Sequence, residues 1–199
     1  ILGISEFPYT VAPDYLEGCE QWTGGVPTQD QLVSPRCVSI NNRYIYEDNC
    51  PLTPETPDGN ANYVAVTIAH ELGHYLGLRH VFSENETGTE CIDSDLCEDT
   101  PTYNKTAYNN LVNSIGAAGL LEHLDVLIMR EDCVRGTEYK STNIMDYAVS
   151  YSNTFTANQR ERVRYILEKG AFVPGPKNRD ISNSTRTAGS GELPHHVME

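Results

Sequence analysis

His70, Glu71, His74, Gly77 and His80 fall within one short stretch, A-H-E-L-G-H-Y-L-G-L-R-H, residues 69–80. Half of the chain's six histidines are spent there. A buried imidazole needs partners for both ring nitrogens, so ordinary packing is a poor reason to place three so close together. On a helix His70 and His74 stand one turn apart and can aim both rings at one ion. Glu71 is rotated by about 100° from His70 around the axis, which keeps its carboxylate out of the ligand set yet near a water on that ion. Two histidines do not make a catalytic zinc site, which takes three protein ligands and keeps a fourth position open. Gly77 supplies the missing geometry. Without a Cβ it adopts positive φ, ends the helix and turns the chain, so that His80 returns to the ion from a loop. A bare H-E-x-x-H occurs by chance in unrelated helices, but the five specified positions H-E-x-x-H-x-x-G-x-x-H are far more restrictive. The chemistry they fit is zinc-assisted hydrolysis, with Glu71 as general base.

The elements that must position these residues follow from the flanking pattern. T-P-E-T-P-D-G-N punctuates the chain, and Asn60 or Asn62 can cap a helix expected over about 62–76. Ala65, Ala69, Leu72 and Leu76 are spaced as an apolar stripe for the core, with Val66, His70 and His74 on another face. Before it, I-L-G-I-S-E-F-P-Y-T-V and C-V-S-I-N-N-R-Y-I-Y read as strands of a mixed sheet joined by long loops. Residues 83–110 are expected to be irregular and 111–132 helical, with Gly116 and Gly119 weakening that helix. Thr156 and Gln159 form a capping-box pattern opening a last helix that stops before Gly170. Residues 1–176 read as one domain and 177–199, polar and rich in Gly and Ser, as a tail or linker.

Acidic residues outnumber basic ones 28 to 14, a formal net charge of −14. Nucleic acid and anionic membranes both require a positive field and are poor partners for such a chain. No apolar run reaches the roughly 18 residues that a spanning helix needs. Six cysteines, at 19, 37, 50, 91, 97 and 133, with no C-x-x-C pair, point to an exported protein with up to three disulfides whose pairing the spacing leaves open. N-x-[ST] triplets begin at Asn85, Asn104 and Asn183. His123, His195 and His196 read as surface or tail residues.

Further along, N-I-M-D-Y occupies 143–147. An extended zinc motif followed by a methionine turn resembles the metzincin clan of metallopeptidases. H-E-L-G-H-Y-L-G-L-R-H-V-F, L-C-E-D-T-P-T-Y-N, N-I-M-D-Y and F-T-A-N-Q-R-E-R-V-R-Y-I-L, in this order, are similar to pappalysin-type, ulilysin-like members of that clan, over about residues 60–170. The resemblance implies an α+β zinc-peptidase domain: a mixed sheet and active-site helix over an irregular lower lobe. It implies zinc on His70, His74 and His80, Glu71 as base, Met145 as the apolar floor and Tyr147 as a stabiliser of the oxyanion. It also maps Asp95, Asp99 and Thr100 as candidate ligands of a structural Ca²⁺, although a solvated acidic loop accounts for the same residues. Residues 1–58 match loosely and are short for such a domain, so its beginning is expected to lie outside this chain. The segment 148–155, A-V-S-Y-S-N-T-F, would wall the pocket after the scissile bond and holds no acidic residue. The expected enzyme is a monomeric endopeptidase acting on peptides or proteins, secreted, periplasmic or at the cell surface, with broad preference in that pocket. Two other readings remain: a thermolysin-like enzyme with a distant glutamate ligand, which the Gly77–His80 spacing disfavours, and a non-catalytic, metal-stabilised binding module of a surface protein.

Overall fold

The structure is a computed structural model that describes residues 2–23, 37–41, 57–84, 91–119, 122–147, 150–171 and 173. The expected tail at 177–199, Cys50, Asn85 and Asn183 lie outside them.

Strands and helices both contribute, as expected of an α+β domain, but the sheet is fragmented. Among the described residues there are three two-stranded ladders: β1 (Gly3–Ser5) antiparallel to β4 (Val38–Ile40), β2 (Tyr9–Val11) parallel to β3 (Glu20–Trp22), and β5 (Met129–Asp132) antiparallel to β6 (Thr137–Lys140). Pro8 separates β1 from β2, because proline has no N–H for a ladder.

Helix α1 runs over Pro57–Tyr75 and starts earlier than the Asn caps implied, with proline in its first turn, where a missing N–H costs nothing. It packs against β1 and β4. The stripe drawn through Ala65, Ala69, Leu72 and Leu76 is not its buried face: Leu72 is 42% exposed, whereas His70, Glu71 and His74 are buried. The polar face is covered because β1 and the 143–147 turn close over it, a tertiary effect that overrides hydrophobic periodicity. At its end Leu78 N donates to Gly73 O and Gly77 N to His74 O, each at 2.9 Å. Gly77 has φ +88°, completing a Schellman cap.

Residues 111–132 are not one helix. Helix α2 spans Lys105–Gly119, beginning inside the stretch expected to be irregular and kinked at Gly116 (φ 71°). A short α3 (Leu124–Leu127) follows, with exposed His123 at its N-cap, and then the β5–β6 hairpin. Asp132 explains the hairpin: its Oδ1 accepts from Val134 N (3.0 Å) and Arg135 N (3.1 Å), and Gly136 takes positive φ. This is a turn that Asp and Gly favour over helix. Helix α4 (Ala157–Lys169) has the capping box read from Thr156 and Gln159, and Gly170 caps its end.

Two apolar clusters organise the part below α1. Phe82, Tyr103, Tyr108 and Leu127 form one, and Leu78, Val81 and Met145 the other, with Phe155 and Val163 against it. A Cys91–Cys133 disulfide ties the 91–104 segment to the hairpin. Among the described residues this is the one disulfide, within the expected limit of three, and Cys19, Cys37 and Cys97 carry free thiols. Burial pushes the Cys97 thiol up to about 12.

Candidate active site

The three histidines converge. The Nε2 of His74 lies 3.2 Å from that of His70 and 3.0 Å from that of His80. Each ring is turned by a bond on its far side. His70 Nδ1 donates to Ile144 O at 2.7 Å and His74 Nδ1 to Leu78 O at 2.8 Å, while His80 Nδ1 is held by Glu84. With the proton on Nδ1, every Nε2 presents a lone pair to the same point. Burial holds His70 and His74 down at about 4, so both are neutral at physiological pH. Three acceptor lone pairs with no proton between them repel one another unless a cation sits among them. Ligand nitrogens about 2.0–2.1 Å from a tetrahedral zinc lie roughly 3.3–3.4 Å apart, close to the two separations from His74, and all three ligand nitrogens lie within 4.8 Å of one another. The donor set therefore fits zinc. Among the described residues no other group of His, Cys, Asp or Glu converges in this way.

Glu84 was not singled out from the sequence. Its hydrogen bond to His80 holds the carboxyl below the usual carboxylate range, and a carboxylate orienting a ligand histidine raises that ligand's basicity. It stands only four residues after His80, but in a non-helical stretch, where that spacing does not by itself bring two side chains together.

Glu71 is buried beneath β1, and burial raises its carboxyl. A Cβ on Gly3 would stand 2.6 Å from Glu71 Cγ and 2.8 Å from Oε1. Only a glycine lets the strand lie so close over Glu71. Tyr147, 42% exposed, has its ring centroid 5.6 Å from that of His70 and 4.5 Å from that of His80. Burial and the nearby Glu71 and Glu84 charges raise the phenol, so it keeps its proton. Glu71, His74, His80, Glu84 and Tyr147 line a pocket of about 270 Å³, with Gly3, Ile4, Ser5, Phe7 and Arg79 on its other walls.

Met145 is fully buried below the histidines and fits a notch left by the helix: a Cβ on Gly73 would be 2.4 Å from its sulfur. Its turn is built by side chains. Asn143 Oδ1 accepts from Met145 N (2.9 Å), and Asn143 Nδ2 donates to the buried Gln159 of α4 (2.8 Å). Asp146 accepts from Tyr103, Ser141 and the Tyr147 N–H, and pairs with buried Arg130 at 3.7 Å. Arg162, also from α4, donates to Gly77 O (3.3 and 3.2 Å) and to Glu17 O (2.7 Å), clamping the turn that returns His80. Gly3, Gly73, Arg130 and Arg162 were not legible as site residues, since each acts through a contact distant in sequence.

The acidic loop is arranged differently. Asp95 is buried and accepts from Cys97 N (2.9 Å) and Thr100 Oγ1 (2.5 Å), while Asp99 accepts from Asn158 N at the start of α4 (3.0 Å). Burial raises the Asp95 carboxyl to about 6.

Residues 29–168 match the peptidase M43 family, described as pregnancy-associated plasma protein-A. The chain belongs to this metallopeptidase family. The M43 match contains the whole histidine site, the acidic loop and the methionine turn. Curated relatives are fungal. An extracellular metalloprotease of Arthroderma otae is 33% identical over 120 residues, covering 58% of this chain and 37% of that protein. One of Arthroderma benhamiae is 30% identical over 141 residues, covering 69% and 42%. One of Arthroderma gypseum is 43% identical over 77 residues, covering 38% and 22%. The chain thus spans about two fifths or less of the length of these relatives. No solved structure matches it. No helix among the described residues is long and apolar enough to cross a membrane.

Proposed function

We propose that this M43 chain carries the catalytic centre of a secreted zinc endopeptidase of metzincin type, similar to the ulilysin-like enzymes. The observation that carries this reading is the convergence of three Nε2 lone pairs whose Nδ1 protons are each tied off. Zinc held by His70, His74 and His80 would supply a Lewis acid that acidifies water and polarises the scissile carbonyl. Glu71 takes the proton of the attacking water and returns it to the departing amine. Its raised carboxyl suits both halves of that transfer. The Tyr147 phenol donates a hydrogen bond to the oxygen on which negative charge develops. Met145, without a charge or a strong donor, gives the histidines a floor that does not compete for the ion. The disulfide and the relatives named extracellular support secretion.

We extend the proposal to Ca²⁺ at the acidic loop, with Asp95, Asp99 and Thr100 as the residues concerned. The buried Asp95 carboxyl, pushed up and beside Asp93, is what a cation would relieve.

Glu71→Gln tests the hydrolytic reading. The variant should keep stoichiometric zinc and its melting temperature yet lose peptide hydrolysis by several orders of magnitude. Undiminished turnover would place the base elsewhere. Zinc-loaded wild type that cleaves nothing in a mixed peptide library returns the binding-module reading.

A further inference from the structure

Lys105 opens helix α2, an unfavourable place for a cation. The N-terminal end of a helix carries partial positive charge and repels it, and no acidic residue stands in that first turn to compensate. Burial also pulls the ammonium below its usual range, with Glu84 and Asp146 opposing the shift through space. Among the described residues no carboxylate forms an ion pair with it. What the ammonium meets instead is a wedge of two rings. Its Nζ lies 4.2 Å from the Phe82 centroid and 4.5 Å from the Tyr147 centroid. The rings themselves stand 4.9 Å apart, inclined at 52°. Both ammonium distances fall inside the range of about 6 Å over which a ring face attracts a cation.

The two rings differ in how firmly they are held. Phe82 is buried, stacked on His80 (4.7 Å, 13°) and part of the apolar cluster with Tyr103, Tyr108 and Leu127. Tyr147 is half-exposed. Its N–H is bound by Asp146 at 2.7 Å, but among the described residues no hydrogen bond ties its hydroxyl, so contacts on the ring must set the side chain. His70 and His80 border that ring, and Lys105 is the one cation over it among the described residues. Holding an exposed aromatic side chain in one rotamer costs entropy. A cation that bridges Tyr147 to the buried Phe82 offsets that cost and leaves the hydroxyl unengaged.

We propose that Lys105 is a positioning residue: its ammonium fastens the Tyr147 ring to Phe82 and so sets where the phenol meets the developing oxyanion. The inference rests on the proteolytic reading and deepens it, adding a residue of α2 to a site otherwise built by α1, the turn after it and residues 143–147. Methionine at 105 keeps an unbranched apolar stem and removes the charge. Arginine keeps the charge, and its planar guanidinium also stacks on rings.

Zinc-loaded wild type, Lys105→Met and Lys105→Arg are compared in steady-state hydrolysis of a peptide that the wild type cleaves. Lys105→Met should lower kcat roughly 3- to 30-fold, the range of a cation–π contact. KM should barely change, because the phenol acts on charge that develops only in the transition state. Lys105→Arg should recover most of the loss. Affinity for a phosphinic peptide, which carries a tetrahedral oxyanion without turnover, should weaken in Lys105→Met by a similar factor. Zinc affinity, measured by competition with a chelator, should stay at the wild-type value. The decisive arm uses Tyr147→Phe, which keeps the ring and drops the hydroxyl. In that background Lys105→Met should change kcat by less than about twofold, as expected of two residues acting as one unit. If Lys105→Met melts early, Lys105→Gln takes its place and is read by the same criteria. An unchanged kcat overturns the proposal, as does a loss that arginine does not recover or one that persists in full on Tyr147→Phe. Wild type that hydrolyses no peptide of a mixed library removes the proteolytic reading and this role with it; hydrolysis indifferent to Lys105→Met removes the role alone.

Discussion

Gly77→Ala should both destabilise the domain and loosen its third histidine, and the size of the effect can be worked from the turn. Gly77 sits at φ +88°. A residue with a Cβ in the left-handed region costs about 1–2 kcal/mol. The added methyl would stand 3.0 Å from Ile166 Cγ1 and 3.2 Å from Cys19 Sγ, tighter than ordinary contact. Overpacking of this kind adds about 1–3 kcal/mol. The backbone cannot rotate away freely, because Arg162 holds the Gly77 carbonyl and Leu78 N completes the cap on Gly73 O. The expected loss is therefore about 2–5 kcal/mol, which in a domain of this size lowers the melting temperature by roughly 4–20 °C. Urea unfolding of the zinc-free protein measures the fold term. Competition with a chelator measures zinc affinity, which should fall as well, since Leu78 O orients His74 and His80 follows two residues on. A variant within about 0.5 kcal/mol of wild type, with unchanged zinc affinity, would refute the claim that this turn is locked.

Gly3→Ala should lower kcat for peptide hydrolysis and lower the melting temperature as well, because its methyl would stand 2.6 Å from Cγ of the buried Glu71 and either that side chain or β1 must move. An unaltered kcat would show that β1 does not fix the base. For pH, Asp132 gives a definite sign. Burial pushes its carboxyl up, but hydrogen bonds from the Arg135 side chain and the Arg135 and Val134 N–H groups outweigh this, and the net shift is downward. Its stabilisation is then fully present above the ordinary value near 3.8 and is lost as pH falls through the lower folded value. Denaturation curves should show Asp132→Asn less stable than wild type at pH 7, with the gap closing in acid; a gap independent of pH would remove Asp132 from the account. Adding Ca²⁺ to zinc-loaded protein should raise the melting temperature, and the rise should vanish in Asp95→Asn; no shift in the wild type ends the calcium proposal.

What the sequence determined is the chemistry at short range. The placement of His70, His74 and Glu71 and the turn at Gly77 follow from helical rotation and from the freedom of a residue without Cβ, and both properties are local. The same is true of Thr156 and Gln159, whose capping box needs only four consecutive residues. Where the outcome depended on what lies against an element, local pattern pointed the wrong way. Leu72 belongs to an apolar stripe by spacing, yet the strand and the methionine turn cover the opposite, polar face of α1. Met129–Asp132 continues a helical-looking run but forms a hairpin, because Asp132 satisfies the turn and Arg130 finds Asp146. Gly3 over Glu71, the sulfur of Met145 in the Gly73 notch and Arg162 on Gly77 are contacts between distant segments. Spacing can place ligands on one turn of helix. Holding their rings, base and floor in register takes surfaces that meet only when the chain has folded.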